Sequence, residues 1–459
     1  MVFMPDTIVA LATPTGRSGI GVIRLSGTNA LSITQKLVDN PAFEPEPRYA
    51  RLTQLRDPNS GETIDEAIIT YFKSPHSFTG EDVVEISCHG SPVLLRRVID
   101  ICLRLDARMA DPGEFTLRAL ANGRMNLAEA EAIRDLIDAQ TTASARQAIR
   151  QMQGEFSKQL QPLKDDLLNV IVVLESALEF VEDDLPALQV DGIKVKLAEI
   201  AGETTKLAAT FQAGRLIREG LRVALVGRPN VGKSSIFNAL LGSDRAIVTE
   251  IAGTTRDQIH ERFTINGIPI SLIDTAGLRE TADMVESIGV ERSRATIADA
   301  DLVIVLLDAS EPFNVDDVEI LSGVGDLEHL IVANKIDKIT DGEAGLLRSK
   351  THDQKSKSIL VSAKTGAGLE ELKSAIVQPF APRDISNLGF LITDARHHDL
   401  LVRAGSGIEQ SLAQMEEKLS EEIVLVGLHN ALRYLGQITG ETTTEDMLTR
   451  IFSTFCIGK

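Results

Sequence analysis

Short apolar runs separated by polar and turn residues mark the first 118 positions. Thr7–Ala12, Gly21–Leu25, Glu66–Phe72 and Asp82–Ser87 read as strands, and Pro92–Leu105 reads as a helix. This pattern predicts a small α+β domain over residues 1–118. From about Ala119 the apolar spacing lengthens to that of a helix. Asn126–Ile133 opens a 3.6-residue pattern that continues through Leu136, Ile149, Leu160, Leu167, Leu174 and Leu178. Pro162 and the stretch Glu182–Pro186 read as breaks in it. The pattern predicts a helical bundle segment over residues 119–218. Between 219 and 379 the runs Arg222–Val226, Ile270–Ile273, Leu302–Leu307, Leu330–Ala333 and Ile359–Val361 are separated by helical candidates. Such alternation predicts a parallel sheet with crossover helices. Past Pro379 and Pro382 the helical spacing returns in Ile408–Leu419 and Ile423–Leu435, so residues 380–459 read as a second piece of the helical domain. The expected fold is multidomain, α/β and α, with the parallel-sheet domain inserted into a helical one.

Composition sharpens this picture. A chain of 459 residues suggests about three domains at roughly 150 residues each. With 43% hydrophobic and 25% charged residues it reads as an ordinary folded chain. Its purely aliphatic stretches, such as Val170–Leu174 and Leu302–Leu307, fall far short of the ~18 residues a membrane span needs. Met1–Val9 has no basic region ahead of an apolar stretch, so no secretory signal is expected. The net charge is −19, and no segment is basic. A protein that coats duplex nucleic acid by bulk charge is therefore excluded, and any nucleic-acid partner must be met by a local patch. Three cysteines, Cys88, Cys102 and Cys456, suit a reducing cytoplasm better than a disulfide framework. Cys456-Ile457-Gly458-Lys459 is a poor match to a prenylation signal.

Chemistry concentrates in the third segment. Gly227-Arg228-Pro229-Asn230-Val231-Gly232-Lys233-Ser234 fits G-x-x-x-x-G-K-[ST] between a predicted strand and the helical Ser235–Leu241. Its glycines let backbone N–H groups from Asn230 to Ser235 wrap phosphates, Lys233 reaches the β/γ-phosphates, and the Ser234 hydroxyl binds Mg²⁺. Asp274-Thr275-Ala276-Gly277 closes the next strand. The acid suits a Mg²⁺ shell, and the Gly277 N–H suits a γ-phosphate. Asn334-Lys335-Ile336-Asp337 follows the strand Leu330–Ala333. A carboxylate there accepts N1–H and the exocyclic amine of guanine, a donor pair adenine does not offer. Ser362-Ala363-Lys364 ends the last strand, where a backbone N–H suits guanine O6. Gly253-Thr254-Thr255-Arg256-Asp257 supplies Thr255 to complete the Mg²⁺ shell. All five pieces fall at the carboxyl ends of strands, the ligand end of a parallel sheet.

Two features set the mechanism expected. Leu278 stands where small regulatory GTPases carry the glutamine that orients water, so another group must handle the water. Asn230 admits two readings: a side-chain carbonyl that ligates a monovalent cation against the phosphates, or a loop residue that favours a turn.

On these motifs, the Cys-x-Gly-Lys terminus and the end-to-end domain order, the chain resembles the MnmE (TrmE) family of bacterial tRNA modification GTPases. The resemblance implies GTP hydrolysis with Mg²⁺ and K⁺ by G domains that pair across a homodimer. It places K⁺ on Asn230, Thr249, Ile251 and Thr254, and Mg²⁺ on Ser234 and Thr255. It puts the water-positioning acid at Glu286, with Glu280 and Glu291 as rivals. The N-terminal domain is implied to dimerise and bind a one-carbon folate at Arg24, Glu85, Arg124 and Lys459. Cys456 matches the family's terminal cysteine; a thiolate could add to pyrimidine C6, and a redox or packing role is equally compatible. Cys88 and His89 are expected on opposite strand faces in structural roles, and His397-His398 on a helix surface.

The function implied is installation of an aminomethyl or carboxymethylaminomethyl group at C5 of the tRNA wobble uridine. The carbon would come from methylenetetrahydrofolate, in a cytoplasmic complex with the FAD- and NADH-using partner MnmG. GTP hydrolysis would close and release the segments Thr249–Asp257 and Gly277–Glu286. A ribosome-assembly GTPase acting as a binding switch is the alternative, since it shares the GTPase motifs.

Overall fold

The computed structural model describes residues 6–179, 187–242, 260–274, 300–325, 327–340, 358–380, 389–441 and 445–458. The chain divides into two compact units. One comprises Met1–Ile137, Ile149–Ala198 and Gly407–Lys459, the other Asp138–Ala148 and Glu199–Ser406. The helical segments are therefore shared between the units, while each unit has its own sheet.

In the first unit the strands are β1 (Thr7–Leu11), β2 (Ser18–Ser26), β3 (Ala50–Arg56), β4 (Thr63–Phe72), β5 (Val83–Gly90) and β6 (Ala107–Met109). They form one sheet in the order β3-β4-β5-β2-β1-β6, antiparallel except for the β1–β6 pair. Helices Ala30–Leu37 and Pro92–Arg104 carry Ile33, Leu37, Leu95, Val98 and Ile101 onto one face of it, against Ile23, Leu25, Ile69 and Ile86. Alternation puts Cys88 in this core and leaves His89 exposed, as a period of two requires.

Helix Glu155–Glu179 runs through Pro162 without interruption, which corrects the expected break there. A mid-helix proline costs about 3 kcal/mol. Leu160, Leu167, Ile171 and Leu174, all fully buried along one stripe, together outweigh it at roughly 1.5–3 kcal/mol each.

The second unit holds β7 (Leu221–Val226), β8 (His260–Ile265), β9 (Ile268–Asp274), β10 (Leu302–Asp308), β11 (His329–Asn334) and β12 (Ser358–Leu360). The order is β12-β11-β10-β7-β9-β8, parallel except for the β8–β9 hairpin. After β7 the chain builds β9 on one side and then crosses to place β10 on the other. The carboxyl end of β7 is thus a topological switch point. The seven residues of β10 are all buried, as expected of a strand covered on both faces.

Helix Phe211–Glu219 leads into β7, and the chain returns through residues 389–394 into helix Ala395–Glu416. The two passages are tied together: Thr210 Oγ1 accepts the Ile392 N–H at 3.0 Å, and Arg218 donates to the Thr393 carbonyl at 3.3 Å and to Asp394 Oδ2 at 2.7 Å. His397 is 1% exposed in the first turn of that helix. It lies beside Asp394 and helps keep that carboxyl low, and its Nε2 lies 2.9 Å from Arg396. This corrects the surface position expected for His397; its neighbour His398 stacks on Phe211 at 4.4 Å.

Candidate functional site

The nucleotide motifs meet at the carboxyl edge of the second sheet. The loop after β7 turns at Asn230, whose φ of 64° is left-handed, and again at Gly232, with φ 97°. Asparagine tolerates that region and glycine favours it. Helix Lys233–Leu241 then starts directly, with Ser234 and Ser235 exposed in its first turn. An open helix N-terminus presents free N–H groups and a favourable dipole to an anion.

Three tethers hold this loop. Arg228 Nε donates to Asp317 Oδ1 at 2.8 Å and its guanidinium reaches Glu311 at 3.3 Å. The Val231 carbonyl accepts Asn334 Nδ2 at 2.9 Å, and the Asn230 carbonyl accepts Lys335 Nζ at 2.7 Å. Lys233 Nζ folds back on the carbonyls of Gly227 and Arg228, at 2.7 and 2.9 Å. Those acceptors place its ammonium over the cradle where phosphate charge would sit.

The base-side motifs are bound to each other in the same way. Asn334, 2% exposed, gives its amide to the Val231 carbonyl and takes the Ala363 N–H on Oδ1 at 3.1 Å. One side chain therefore joins the phosphate loop to the Ser362–Lys364 turn. The fully buried Ser362 donates its hydroxyl to Asp337 Oδ1 at 2.6 Å. That bond is the main reason the exposed Asp337 carboxyl is held below the usual range. It leaves Oδ2 and the second lone pair of Oδ1 to face outward as acceptors.

Asp274 ends β9, next to β7 in the sheet. Thr249, Ile251, Thr254, Thr255, Thr275, Ala276, Gly277 and Glu286 lie outside the described residues, as does Lys459.

Two of the folate candidates, Arg24 and Glu85, sit on the other sheet. Arg24 on β2 and Glu85 on β5 are direct cross-strand partners, and Arg24 Nε and Nη2 grip Glu85 Oε1 at 3.0 and 2.7 Å. Arg24 Nη1 also donates to the Gly458 carbonyl at 3.1 Å. The terminal segment comes there because Phe452 and Phe455 pack on Leu127 and Ala130. Gly458, with φ 98°, lies so close to the Leu11 carbonyl that a Cβ would strike it. Cys456 is exposed in this segment. Arg124 is exposed, and its stem lies beside Gly80.

Two contributors were not singled out by their sequence. Asp317 is both the third residue of a capping box with Asn314 and the partner of Arg228; the Asn-x-x-Asp spacing ahead of Val318 was its signal. Asp308 is the acid that ends β10 at the ligand edge of the sheet, and it grips Lys335 at 2.6 Å.

Two family models match the chain. "GTP-binding protein TrmE N-terminus" covers residues 7–124 and "MnmE helical domain" covers 127–456. Among curated relatives, the tRNA modification GTPase MnmE of Koribacter versatilis is 45% identical over 99% of this chain and 100% of its own length. The protein of that name from Aquifex aeolicus is 43% identical over 99% and 100%. Among solved structures, the G domain of the T. maritima FeoB iron transporter is 33% identical over 34% of this chain and 97% of its own, with a TM-score of 0.26.

Proposed function

Because the chain belongs to the MnmE family of tRNA modification GTPases, we propose that its GTP hydrolysis requires K⁺ and powers wobble-uridine modification with a partner of the MnmG type. The chain is a GTP hydrolase of tRNA modification. The finer reading is that a homodimer, in the cytoplasm with MnmG, installs an aminomethyl or carboxymethylaminomethyl group at C5. Methylenetetrahydrofolate would supply the carbon, and the FAD would reside in the partner. Residues 1–118 would form the folate-binding and dimerisation domain, 119–218 and 380–459 the helical domain, and 219–379 the G domain.

The observation that carries this reading is the Asn230 turn. It is left-handed, held by its own carbonyl, and exposed at the phosphate end of the sheet. The side-chain carbonyl is thereby available to a cation while the main chain stays fixed. Thr249, Ile251 and Thr254 would complete the K⁺ set. The exposed Ser234 hydroxyl, with Thr255, would hold Mg²⁺. Held there, the cations would supply positive charge to the phosphates. Val231 to Ser235 would bind phosphates through N–H groups and Lys233. Asp274 to Gly277 would meet Mg²⁺ and the γ-phosphate. Asp337 would select guanine, with Asn334, Lys335 and Ser362 to Lys364 framing the base. Glu286 would position water. Arg24 and Glu85 of the first sheet, with Arg124 and Lys459, would bind folate, and Cys456 would stand in the same terminal segment as Lys459.

Turnover of GTP in KCl against NaCl tests the cation role; equal rates contradict it. Mass analysis of tRNA nucleosides from a deletion strain tests the reaction. Loss of the C5 group with normal ribosome profiles is expected. Intact modification with defective ribosomes would favour the ribosome-assembly alternative instead. The match over residues 7–124 argues against that alternative, which the GTPase motifs alone would allow.

A further inference from the structure

Asp308 belongs to none of the motifs that meet the nucleotide, yet it is firmly held. Its side chain is 3% exposed at the end of β10. Oδ1 accepts both the N–H and the hydroxyl of Ser310, at 2.9 and 2.7 Å. Oδ2 accepts Lys335 Nζ at 2.6 Å. That ammonium also donates to the Asn230 carbonyl at 2.7 Å.

We propose that Asp308 is a positioning residue for the nucleotide site, fixing the Asn230 turn of the phosphate loop through Lys335. A lysine is a point charge on a flexible stem, and by itself it sets no position. A buried carboxylate with its second oxygen locked by Ser310 does. Lys335 is itself left-handed, with φ 68°, and its two side-chain bonds oppose relaxation of that backbone. Burial alone would raise the Asp308 carboxyl; Lys335 and Ser310 outweigh it and keep the group ionised. The chain of contacts runs from Ser310 to Asp308, to Lys335, to Asn230, and so joins the strand β10 to the phosphate loop.

The potassium readout of this proposal rests on Asn230 as a K⁺ ligand; the nucleotide readout does not. Full-length Asp308→Asn, Lys335→Met and the double variant are compared with wild type in release of a fluorescent GDP and in GTP turnover titrated with KCl. Asp308→Asn should speed GDP release and raise the KCl midpoint, each by about tenfold, while kcat at saturating KCl changes by less than about twofold. The double variant should be no worse than Lys335→Met alone, because Asp308 acts through that lysine. Multiplying effects in the double variant, or unchanged GDP release and KCl midpoint in Asp308→Asn, overturn the proposal. If wild type turns over GTP equally in KCl and NaCl, the Asn230 reading fails and GDP release alone decides for or against Asp308. Ser310→Ala, which leaves the charge and the Ser310 N–H bond but removes the hydroxyl from Oδ1, should move GDP release in the same direction by a smaller factor. It carries the test should Asp308→Asn not fold, and an unchanged rate there overturns the proposal.

Discussion

The side-chain amide of Asn334 occupies the space that a Cβ on Gly232 would need. The close approach exists because Asn334 reaches across Gly232 to the Val231 carbonyl while holding Ala363 on its other end. Gly232→Ala must therefore displace Asn334 as well as strain a left-handed residue. Asn334→Ala removes both bonds at about 1 kcal/mol each, so guanine-nucleotide affinity should fall roughly tenfold or more. Gly232→Ala should fall at least as far. Calorimetric titration with GDP checks this; wild-type affinity in Gly232→Ala would contradict the geometry.

Asp317 links two functions through its two oxygens. One completes the cap of helix Val315–Val324 and the other holds Arg228. Asp317→Ala should cost about 1–3 kcal/mol of stability, from the lost cap and the lost bond to Arg228. It should also weaken GDP binding through the freed loop. Arg228→Ala should reproduce the weaker binding and spare the cap. Thermal melts and nucleotide titration of the two variants separate these effects.

The three thiols differ in burial. Burial pushes Cys88 and Cys102 up to about 12, and both lie in the core, whereas Cys456 is exposed. Only the thiolate reacts. A thiol-specific reagent near pH 8 should therefore label Cys456 alone in the native protein and all three cysteines after denaturation. Native labelling of Cys88 or Cys102 would show that the first sheet's core opens.

Asp394 gives a pH dependence. Burial alone would raise its carboxyl, but His397 and Arg218 beside it, together with the bonds from Arg218 and Arg396, hold it below the usual aspartate range. A depressed carboxyl contributes stability above the unfolded value of about 3.9 and loses it as pH falls through the folded one. Wild-type melting should stay level in this contribution above about pH 5 and decline below about pH 4. Asp394→Asn should be less stable by about 1–3 kcal/mol at pH 7, with the gap to wild type closing in acid. A gap that persists unchanged at pH 3 would show that the charge of Asp394 is not what stabilises this region.

The inner strands of the second sheet were legible because they are buried and read as unbroken apolar runs. The first was legible only where both faces carried a signal. Edge strand β3 was missed because of its seven residues only Leu55 is buried. β8 was missed because Phe263 and Ile265 are too few to show alternation. Pro162 misled because local propensity was weighed without the buried stripe that overrides it. At the candidate site the motif residues stood out by type and spacing. The residues that hold them did not: Arg228 pairs with Asp317 across 89 positions, and Lys335 with Asp308 across 27. An ion pair formed by tertiary approach leaves no periodic trace in one sequence. What could be read at Asp308 was its place, an acid at the tip of a buried strand.

Arg24 and Gly458 are 434 positions apart, yet one donates to the other. During synthesis the first sheet can form early, since its six strands are all made by residue 109. The arrangement around Arg24 cannot, because Gly458 leaves the ribosome only after the second sheet has been made. A nascent or prematurely terminated chain therefore has the first sheet's strands but lacks the Gly458 carbonyl that Arg24 holds. The order of translation makes the Arg24–Gly458 contact one of the last that the first unit can complete.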